Sequence, residues 1–465
     1  MRTTLLIATL LGATASVADD RPNIILLFAD DLGYGDLGCF GAGEIETPHL
    51  DRMAAEGRRF TDFYSAGPTC TPSRAGLLTG CYPVRVGFGD QIGRTAGGAS
   101  RGRVLHSGAT EGLNPDDITV AELLKEAGYA TGMIGKWHLG ESPRFNPTNH
   151  GFDEFFGVHY SNDMKPYDYL RGTERLPEEI DRDNQIRRYT DEALAFIRKH
   201  RERPFFLYFA HAMPHTPLAA SEKFRGRSKR GLYGDAVMEV DWSAGQILDA
   251  LRELELEDRT LVIFTSDNGP WLARGEHGGS AGPLRAGKGT TYEGGVRVPC
   301  IMWQPGTIPA NSVCREVAST IDFLPTFAAL AGTTPPSDRT IDGHDIRPLM
   351  TEDDAKSPWQ ALYFYFGNEL HAVRSGRWKF RAKNNLVNEN IYYREASTNV
   401  AIPPALYDLV RDPGEQKSVL QDHPEVAKRL RGYMDQARAD LGDSLRRISP
   451  TNARPVGQVN DSREK

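Results

Sequence analysis

Short apolar runs alternate with amphipathic stretches along most of the chain. Asn23 to Ala29 is almost continuously apolar, the pattern of a strand covered on both faces. Tyr129 to Gly135, Phe205 to Ala210 and Leu261 to Ser266 also read as strands. Helices fall between them. Thr47-Pro48 gives an N-cap followed by proline at the first helical position, with Leu50, Met53 and Ala54 as the apolar face. Thr119 to Glu122 fits a capping box, with Leu123 and Leu124 behind it and Gly128 as the stop. Val237, Val240, Ala244, Ile247, Leu248, Leu251 and Leu254 keep helical spacing over several turns, and Asp322 to Leu330 predicts a further helix. Strands alternating with helices predict an α/β fold built on a large mixed, mostly parallel sheet flanked by helices.

The character changes near residue 355. Ala361 to Phe366, Ala372 to Val373 and Trp378 to Arg381 predict short strands joined by turns, followed by a helix from Pro424 to about Leu441. This predicts a smaller C-terminal α+β subdomain over 356–465, carrying an antiparallel sheet, after a larger domain over 19–355. The polar tail after Ser449 is expected to fray. Arg94 to Gly112, rich in Gly, Ser, Arg and Ala, reads as a long loop.

At 465 residues, two domains are the natural expectation. A formal net charge of −7 argues against general binding to nucleic acid or to an anionic membrane. The N-terminus has a basic Arg2, an apolar run from Leu5 to Leu11 and Ser16-Val17-Ala18 as a cleavage site, so residues 1–18 read as a signal peptide. The mature chain is expected to be exported, either secreted or periplasmic. Five cysteines (Cys39, Cys70, Cys81, Cys300 and Cys314) leave one over if the rest pair, and the sequence does not give the pairing. No CxxC suggests a zinc ribbon or a redox site.

Candidate chemistry collects after the strands. One predicted strand ends in Asp30-Asp31, a second in Lys136-Trp137-His138, a third leads into His211 and His215, and a fourth ends in Asp267-Asn268-Gly269. Alone, Asp267-Asn268-Gly269 reads equally well as a turn or cap, while Asp30-Asp31, straight after an apolar strand, reads less readily so. Four polar ends on one edge of a parallel sheet argue for one site, since ligands in open α/β sheets lie beyond the carboxyl ends of the strands. Three carboxylates and an amide in one place need a cation, and an all-oxygen set suits Ca2+ or Mg2+ better than zinc.

The run Cys70-Thr71-Pro72-Ser73-Arg74 with Leu78-Thr79-Gly80 resembles the C-x-P-S-R and L-T-G signature of type I sulfatases, the formylglycine-dependent family. Other motifs follow in that family's order. They are the strand ending in Asp30-Asp31-Leu32-Gly33, Gly135-Lys136-Trp137-His138-Leu139-Gly140, His215-Thr216-Pro217, Thr265-Ser266-Asp267-Asn268-Gly269, and Gly287-Lys288 with Glu293-Gly294-Gly295. The likeness is to the branch containing arylsulfatase A and N-acetylgalactosamine-6-sulfatase, and Tyr233 to Val237 and Thr334 to Arg339 particularly resemble the latter.

The resemblance implies an alkaline-phosphatase-like fold and a sulfuric ester hydrolase. It implies that a maturation enzyme oxidises Cys70 to formylglycine. It further implies that Asp30, Asp31, Asp267, Asn268 and the modified Cys70 hold one Ca2+. In such an enzyme one hydroxyl of the hydrated aldehyde attacks sulfur, with Arg74 and the metal stabilising its alkoxide. Lys136 and Lys288 bind sulfate oxygens, and His215 or Lys288 protonates the leaving alcohol. His138 takes the proton of the second hydroxyl as sulfate is expelled. His211 falls outside the matching motif and is left out of the site. The implied substrate is a sulfated carbohydrate or an aryl sulfate. Two alternatives remain open: a phosphonate or phosphate monoester hydrolase of the same fold, and a non-catalytic sulfoglycan-binding protein if Cys70 stays a thiol.

Overall fold

The computed structural model describes residues 20–89, 104–385 and 401–459. The expected signal peptide at 1–18 and residues 94–103 of the expected long loop lie outside the described residues.

A ten-stranded sheet runs through the larger part of the molecule. Its order is Ser312–Cys314, Arg58–Phe60, Cys300–Trp303, Thr260–Ser266, Asn23–Ala29, Phe205–Ala210, Ala130–Lys136, Glu154–Val158, Leu170–Arg171 and Glu174–Arg175. The five strands from Thr260–Ser266 to Glu154–Val158 are mutually parallel. Antiparallel pairs join them to the outer strands on both sides. Every residue of Asn23–Ala29 is buried, which explains its unbroken apolar pattern. Ile24, Leu26 and Phe28 share one core with Leu77, Leu78, Phe323 and Phe327, from the helices Cys70–Thr79 and Phe323–Leu330. Ile25 and Leu27 share another with Val237, Val240 and Ile247 of the helix Gly231–Glu253. The fold is the large mixed sheet flanked by helices that the alternation predicts.

Several boundaries move. The second predicted strand is Ala130–Lys136, so it carries Lys136 to its last position. The long helix starts at Gly231 because Tyr233, Gly234, Asp235 and Ala236 are buried as well. The helix Gln185–His200 escapes the sequence reading, although Ile186, Tyr189, Ala193, Phe196 and Ile197 keep helical spacing on its buried face. The capping box at Thr119 and Glu122 forms as expected. At Thr47 the expected cap does not. The Thr47 hydroxyl accepts from Gly38 N–H (2.8 Å) and donates to Asp51 (3.1 Å). The first amides of Pro48–Glu56 are satisfied instead by Asp241 of the long helix, which accepts from His49 N–H at 3.2 Å and Leu50 N–H at 2.7 Å.

The smaller sheet is antiparallel, in the order Leu362–Phe366, Glu369–Ser375, Trp378–Arg381 and Ala405–Asp408. The fourth strand was not foreseen; it is a four-residue run. The helix Pro424–Leu441 buries Ala427, Leu430, Met434, Ala437 and Leu441 in the core beside it. Over 450–459 the tail does not fray as expected; 460–465 lie outside the described residues. Gly457–Gln458 pairs with Glu111–Gly112, Arg454 N–H donates to the Arg85 carbonyl at 2.6 Å, and the Arg454 guanidinium pairs with buried Asp117. A buried carboxylate requires such a partner, and the tail provides it.

One carboxylate joins the two sheets. Glu293 is fully buried and accepts from Lys379 Nζ at 2.8 Å, Tyr64 Oη at 2.6 Å and Arg297 Nη1 at 3.3 Å. Lys379 belongs to the smaller sheet and Tyr64 to the larger part. Burial alone would raise the Glu293 pKa, but Lys379, Arg297 and Arg374 outweigh it and bring it to about 2. Replacing it with Gln removes one buried negative charge and leaves Lys379 only Glu415, and Arg297 and Arg374 only Asp62, so Glu293→Gln is expected to lower stability by about 3 kcal/mol. The depressed pKa places its contribution above the free-Glu value of about 4.3, with loss as pH falls through 2. Denaturant unfolding of wild type and variant at neutral and acidic pH checks this. A deficit below about 1 kcal/mol at neutral pH would show that the network matters little.

Candidate active site

The four polar strand ends meet at one edge because their strands are adjacent and in register. Ala29 pairs with Ser266, Phe28 with Ala210, and Ala210 with Gly135. Asp30, Asp267, His211 and Lys136 therefore leave the sheet at nearly the same level. Two glycines let the backbones approach this closely. A Cβ on Gly135, whose φ is +108°, would lie 1.8 Å from the Ala210 carbonyl oxygen, and one on Gly269 would lie 1.8 Å from that of Gly294. The Gly135-Lys136 and Asn268-Gly269 motifs require glycine for this reason.

Cys70 is the first residue of the buried helix Cys70–Thr79. Its thiol lies 3.5 Å from Asp30 Oδ1, 4.0 Å from Asp31 Oδ1 and 3.4 Å from Lys288 Nζ. Burial pushes the thiol pKa well above its usual value, although Lys136 and Lys288 pull the other way. As a plain cysteine it is a poor thiolate nucleophile.

Around it stand three carboxylates and three cations. Lys136 Nζ donates to Asp30 Oδ2 at 2.6 Å and Lys288 Nζ to Asp31 Oδ2 at 2.8 Å. Arg74 donates to Asp267 Oδ2 through Nη2 (3.0 Å) and Nε (3.3 Å), and to the Lys136 carbonyl at 2.8 Å. Burial works against the Asp30 charge, yet Lys136, His215, Arg74 and Lys288 together hold it well below the carboxylate range. Asp267 is pushed up to about 7, by burial and then by the adjacent Asp30 charge. Asn268 Nδ2 donates to Asp31 at 2.8 Å, while its Oδ1 is buried without a hydrogen-bond partner among the described residues. Single ligand atoms of Asp30, Asp31, Asp267 and Cys70 all lie within 4.8 Å of one another.

The two histidines present free ring nitrogens. His138 Nε2 is 2.9 Å from the Leu105 carbonyl oxygen, so Nε2 carries the proton and Nδ1, buried and unpartnered, can accept one. Burial, reinforced by Lys136, lowers its pKa well below the usual value and keeps the ring neutral. His215 Nδ1 donates to the Thr216 carbonyl at 2.6 Å, which leaves Nε2 facing Asp31 Oδ2 at 3.7 Å. Asp31 (φ +66°) and His138 (φ +64°) both occupy the left-handed region, which non-glycine residues rarely adopt. The structure thus brings Cys70, Arg74, Lys136, His138, His215, Lys288, Asp30, Asp31, Asp267 and Asn268 to one sheet edge. His211 is turned aside, its ring 4.2 Å from that of Phe209 and its Nε2 3.4 Å from Ser243 Oγ.

The sequence reading overlooked three residues here. Thr71 ties the site together by accepting from Leu105 N–H and donating to the His138 carbonyl, both at 3.1 Å. Trp271 lies 5.3 Å from the His215 ring and 4.6 Å from Lys288 Nζ. Ser161 presents a buried hydroxyl without a partner among the described residues. Thr71 lies inside the Cys70 to Arg74 run and Trp271 two residues beyond Gly269, which is the signal that could have found them; Ser161 has none.

Residues 22–333 match the Sulfatase family, and 286–440 match the C-terminal part of N-sulphoglucosamine sulphohydrolase. The chain belongs to the sulfatase family. It is 41% identical over 449 residues to N-acetylgalactosamine-6-sulfatase of Canis lupus familiaris, covering 89% of this chain and 84% of that one. To human arylsulfatase A it is 42% identical over 465 residues, covering 91% and 89%. The crystal structure of Ps i-CgsB in complex with k-i-k-neocarrahexaose superposes with a TM-score of 0.75 at 30% identity, over 90% of this sulfatase and 92% of that chain. The protein is therefore a hydrolase of sulfated substrates, and its Cys70–aspartate cluster is consistent with a formylglycine-type active site. Among the described residues, no helix is long and apolar enough to cross a membrane.

Trp271 holds Lys288 and His215 by cation–π and ring contact. Removing it is expected to lower kcat/KM by roughly 2- to 30-fold, the range of a partly desolvated cation–π contact. Steady-state assays of Trp271→Ala and Trp271→Phe check this, with the Phe variant retaining most of the activity.

Proposed function

We propose that this sulfatase hydrolyses a sulfate ester on a carbohydrate, using formylglycine made from Cys70 and one bound Ca2+. The observation that carries this reading is the placement of Cys70, within 4.0 Å of Asp30, Asp31 and Lys288. The carbohydrate is favoured because relatives include an N-acetylgalactosamine-6-sulfatase and a structure holding k-i-k-neocarrahexaose.

The residues fit a hard cation. Asp30, Asp31, Asp267, the modified Cys70 and the unpartnered Oδ1 of Asn268 would hold it. The raised pKa of Asp267 comes first from burial and then from the Asp30 charge, and a cation held between them would offset the second. When bound, Ca2+ offsets negative charge where the sulfate oxygens and the nucleophile meet.

A hydrated aldehyde at position 70 would supply two hydroxyls on one carbon, one for attack on sulfur and one whose proton can be removed as sulfate leaves, which an unmodified cysteine lacks. Lys136 and Lys288 are placed to receive sulfate oxygens. Arg74 holds Asp267 and adds positive charge beside the nucleophile. His215, once protonated on both ring nitrogens, gives its Nε2 proton to the bridging oxygen as the sulfur–oxygen bond breaks; burial and then Lys288 lower its pKa in the free enzyme, while Lys288, held well above its usual pKa by Asp31 despite burial, keeps its own proton. The imidazolium is favoured by the negative charge the ester brings. His138 Nδ1 is free to take the proton of the second hydroxyl.

The same reading assigns residues 1–18 to an export signal, 19–355 to the catalytic unit and 356–465 to the C-terminal subdomain. The maturation enzyme is a partner during synthesis.

Mass analysis of the Cys70 peptide, from protein co-produced with a maturation enzyme, should show CH2–SH replaced by an aldehyde. Sulfate release should fall to background in Cys70→Ala. An unmodified thiol in fully active protein would overturn the mechanism. Chelation should lower the melting temperature, and Ca2+ should restore it, reaching about 2.7 kcal/mol at 100 times Kd. Asn268→Leu should weaken that response, and a Ca2+-independent melting temperature would remove the metal from the reading.

A further inference from the structure

His215 sits on a segment without regular secondary structure, between the strand Phe205–Ala210 and the helix Gly231–Glu253, yet a proton donor must hold its ring to within a few tenths of an ångström. The segment is fixed through its carbonyls. Asp30 N–H donates to the Met213 carbonyl at 3.2 Å. The carbonyls on either side, those of Ala212 and His215, both accept from the side-chain amide of Asn162, each at 3.0 Å. Asn162 lies just beyond the strand Glu154–Val158 and is 1% exposed.

This amide has a single workable orientation. Both Nδ2 hydrogens are taken by carbonyls, and Oδ1 accepts from the Tyr167 hydroxyl. Gln185 Nε2 donates to that hydroxyl at 2.7 Å and lies 3.0 Å from the Tyr189 hydroxyl. Arg182 stacks over the Tyr167 ring at 5.1 Å and donates to the Asn162 carbonyl at 3.0 Å. A buried polar chain therefore runs from the start of the helix Gln185–His200 to the backbone of His215. The ring itself is aimed by the neighbouring peptide, through Nδ1 and the Thr216 carbonyl. The His215 carbonyl lies in the peptide just before the one that carries the Thr216 carbonyl, so holding it limits the swing of the next peptide, and with it the direction of Nε2.

We propose that Asn162 is a positioning residue for leaving-group protonation, holding His215 through the Ala212 and His215 carbonyls and oriented by Tyr167. The inference rests on the reading of His215 as the proton donor. It makes no contact claim between Asn162 and substrate.

The test is a series of aryl and alkyl sulfates of rising leaving-group pKa, assayed with the matured enzyme. A nitrophenolate departs without a proton, whereas an alkoxide needs one. Loss of an aimed donor therefore steepens the dependence of kcat/KM on leaving-group pKa, while general damage to the site lowers all substrates alike. Asn162→Ala is expected to lose about 10- to 100-fold on alkyl sulfates, part of the effect of a general acid, and less than about 3-fold on 4-nitrophenyl sulfate. Tyr167→Phe, which keeps the ring and removes only the orienting hydroxyl, should steepen the slope in the same direction by less. It carries the test alone if Asn162→Ala does not fold. His215→Ala serves as reference. If His215→Ala steepens the slope and the other two variants do not, the role of Asn162 is overturned and His215 keeps its own. If His215→Ala lowers every substrate equally, the His215 reading fails and the inference falls with it. In the double variant Asn162→Ala/His215→Ala, the alkyl sulfate losses should not add; full additivity would also overturn the proposal.

Discussion

Everything at the site depends on the mutual neutralisation of three carboxylates and three cations away from water. Asp30, Asp31 and Asp267 could not be buried together unless Lys136, Lys288 and Arg74 were buried with them. The cations come from a strand, a loop and a helix far apart in sequence. The fold must bring them into place to within hydrogen-bond distance, or each charge is stranded. The paired set carries no net charge by this count. The divalent metal of the proposed function would leave the pocket positive, which suits a group that arrives as an anionic ester and departs as a dianion.

The scaffold serves that convergence. The parallel register brings four strands to one level, and glycines at 135 and 269 allow the backbones to touch. The helix that begins at Cys70 is buried along its whole length. Behind the site, Glu293 ties the smaller sheet to the larger part, so the loop bearing Lys288 is held between the two. His138 and Asp31 keep left-handed backbone conformations because neighbouring bonds over-determine them.

Much of this was legible in the sequence because the motifs are contiguous. Asp30-Asp31, Gly135 to Gly140 and Asp267 to Gly269 each follow an apolar strand, so their position at the sheet edge comes from pattern alone. The family resemblance then supplied roles that periodicity could not. What stayed hidden acts across long separations. Asp241 capping the helix at Pro48, Lys379 meeting Glu293, and the tail strapped over Glu111 leave no local trace. Asn162 and Ser161 lie where no motif marks them. The Thr47 cap failed because its one hydroxyl was claimed by Gly38 and Asp51.

The burial of Cys70 sets an order of events. The side chain is 1% exposed, at the start of a helix packed beneath the sheet edge. Two of the strands that cover this edge, Phe205–Ala210 and Thr260–Ser266, emerge from the ribosome long after Cys70, and the strap at Gly457–Gln458 comes almost last. An enzyme that modifies Cys70 must therefore meet an extended segment, before those later pieces arrive. Under the proposed function, maturation becomes a race between a catalyst and the chain's own closure. Slowing the folding of the distant C-terminal half would lengthen that interval without touching a single residue of the site.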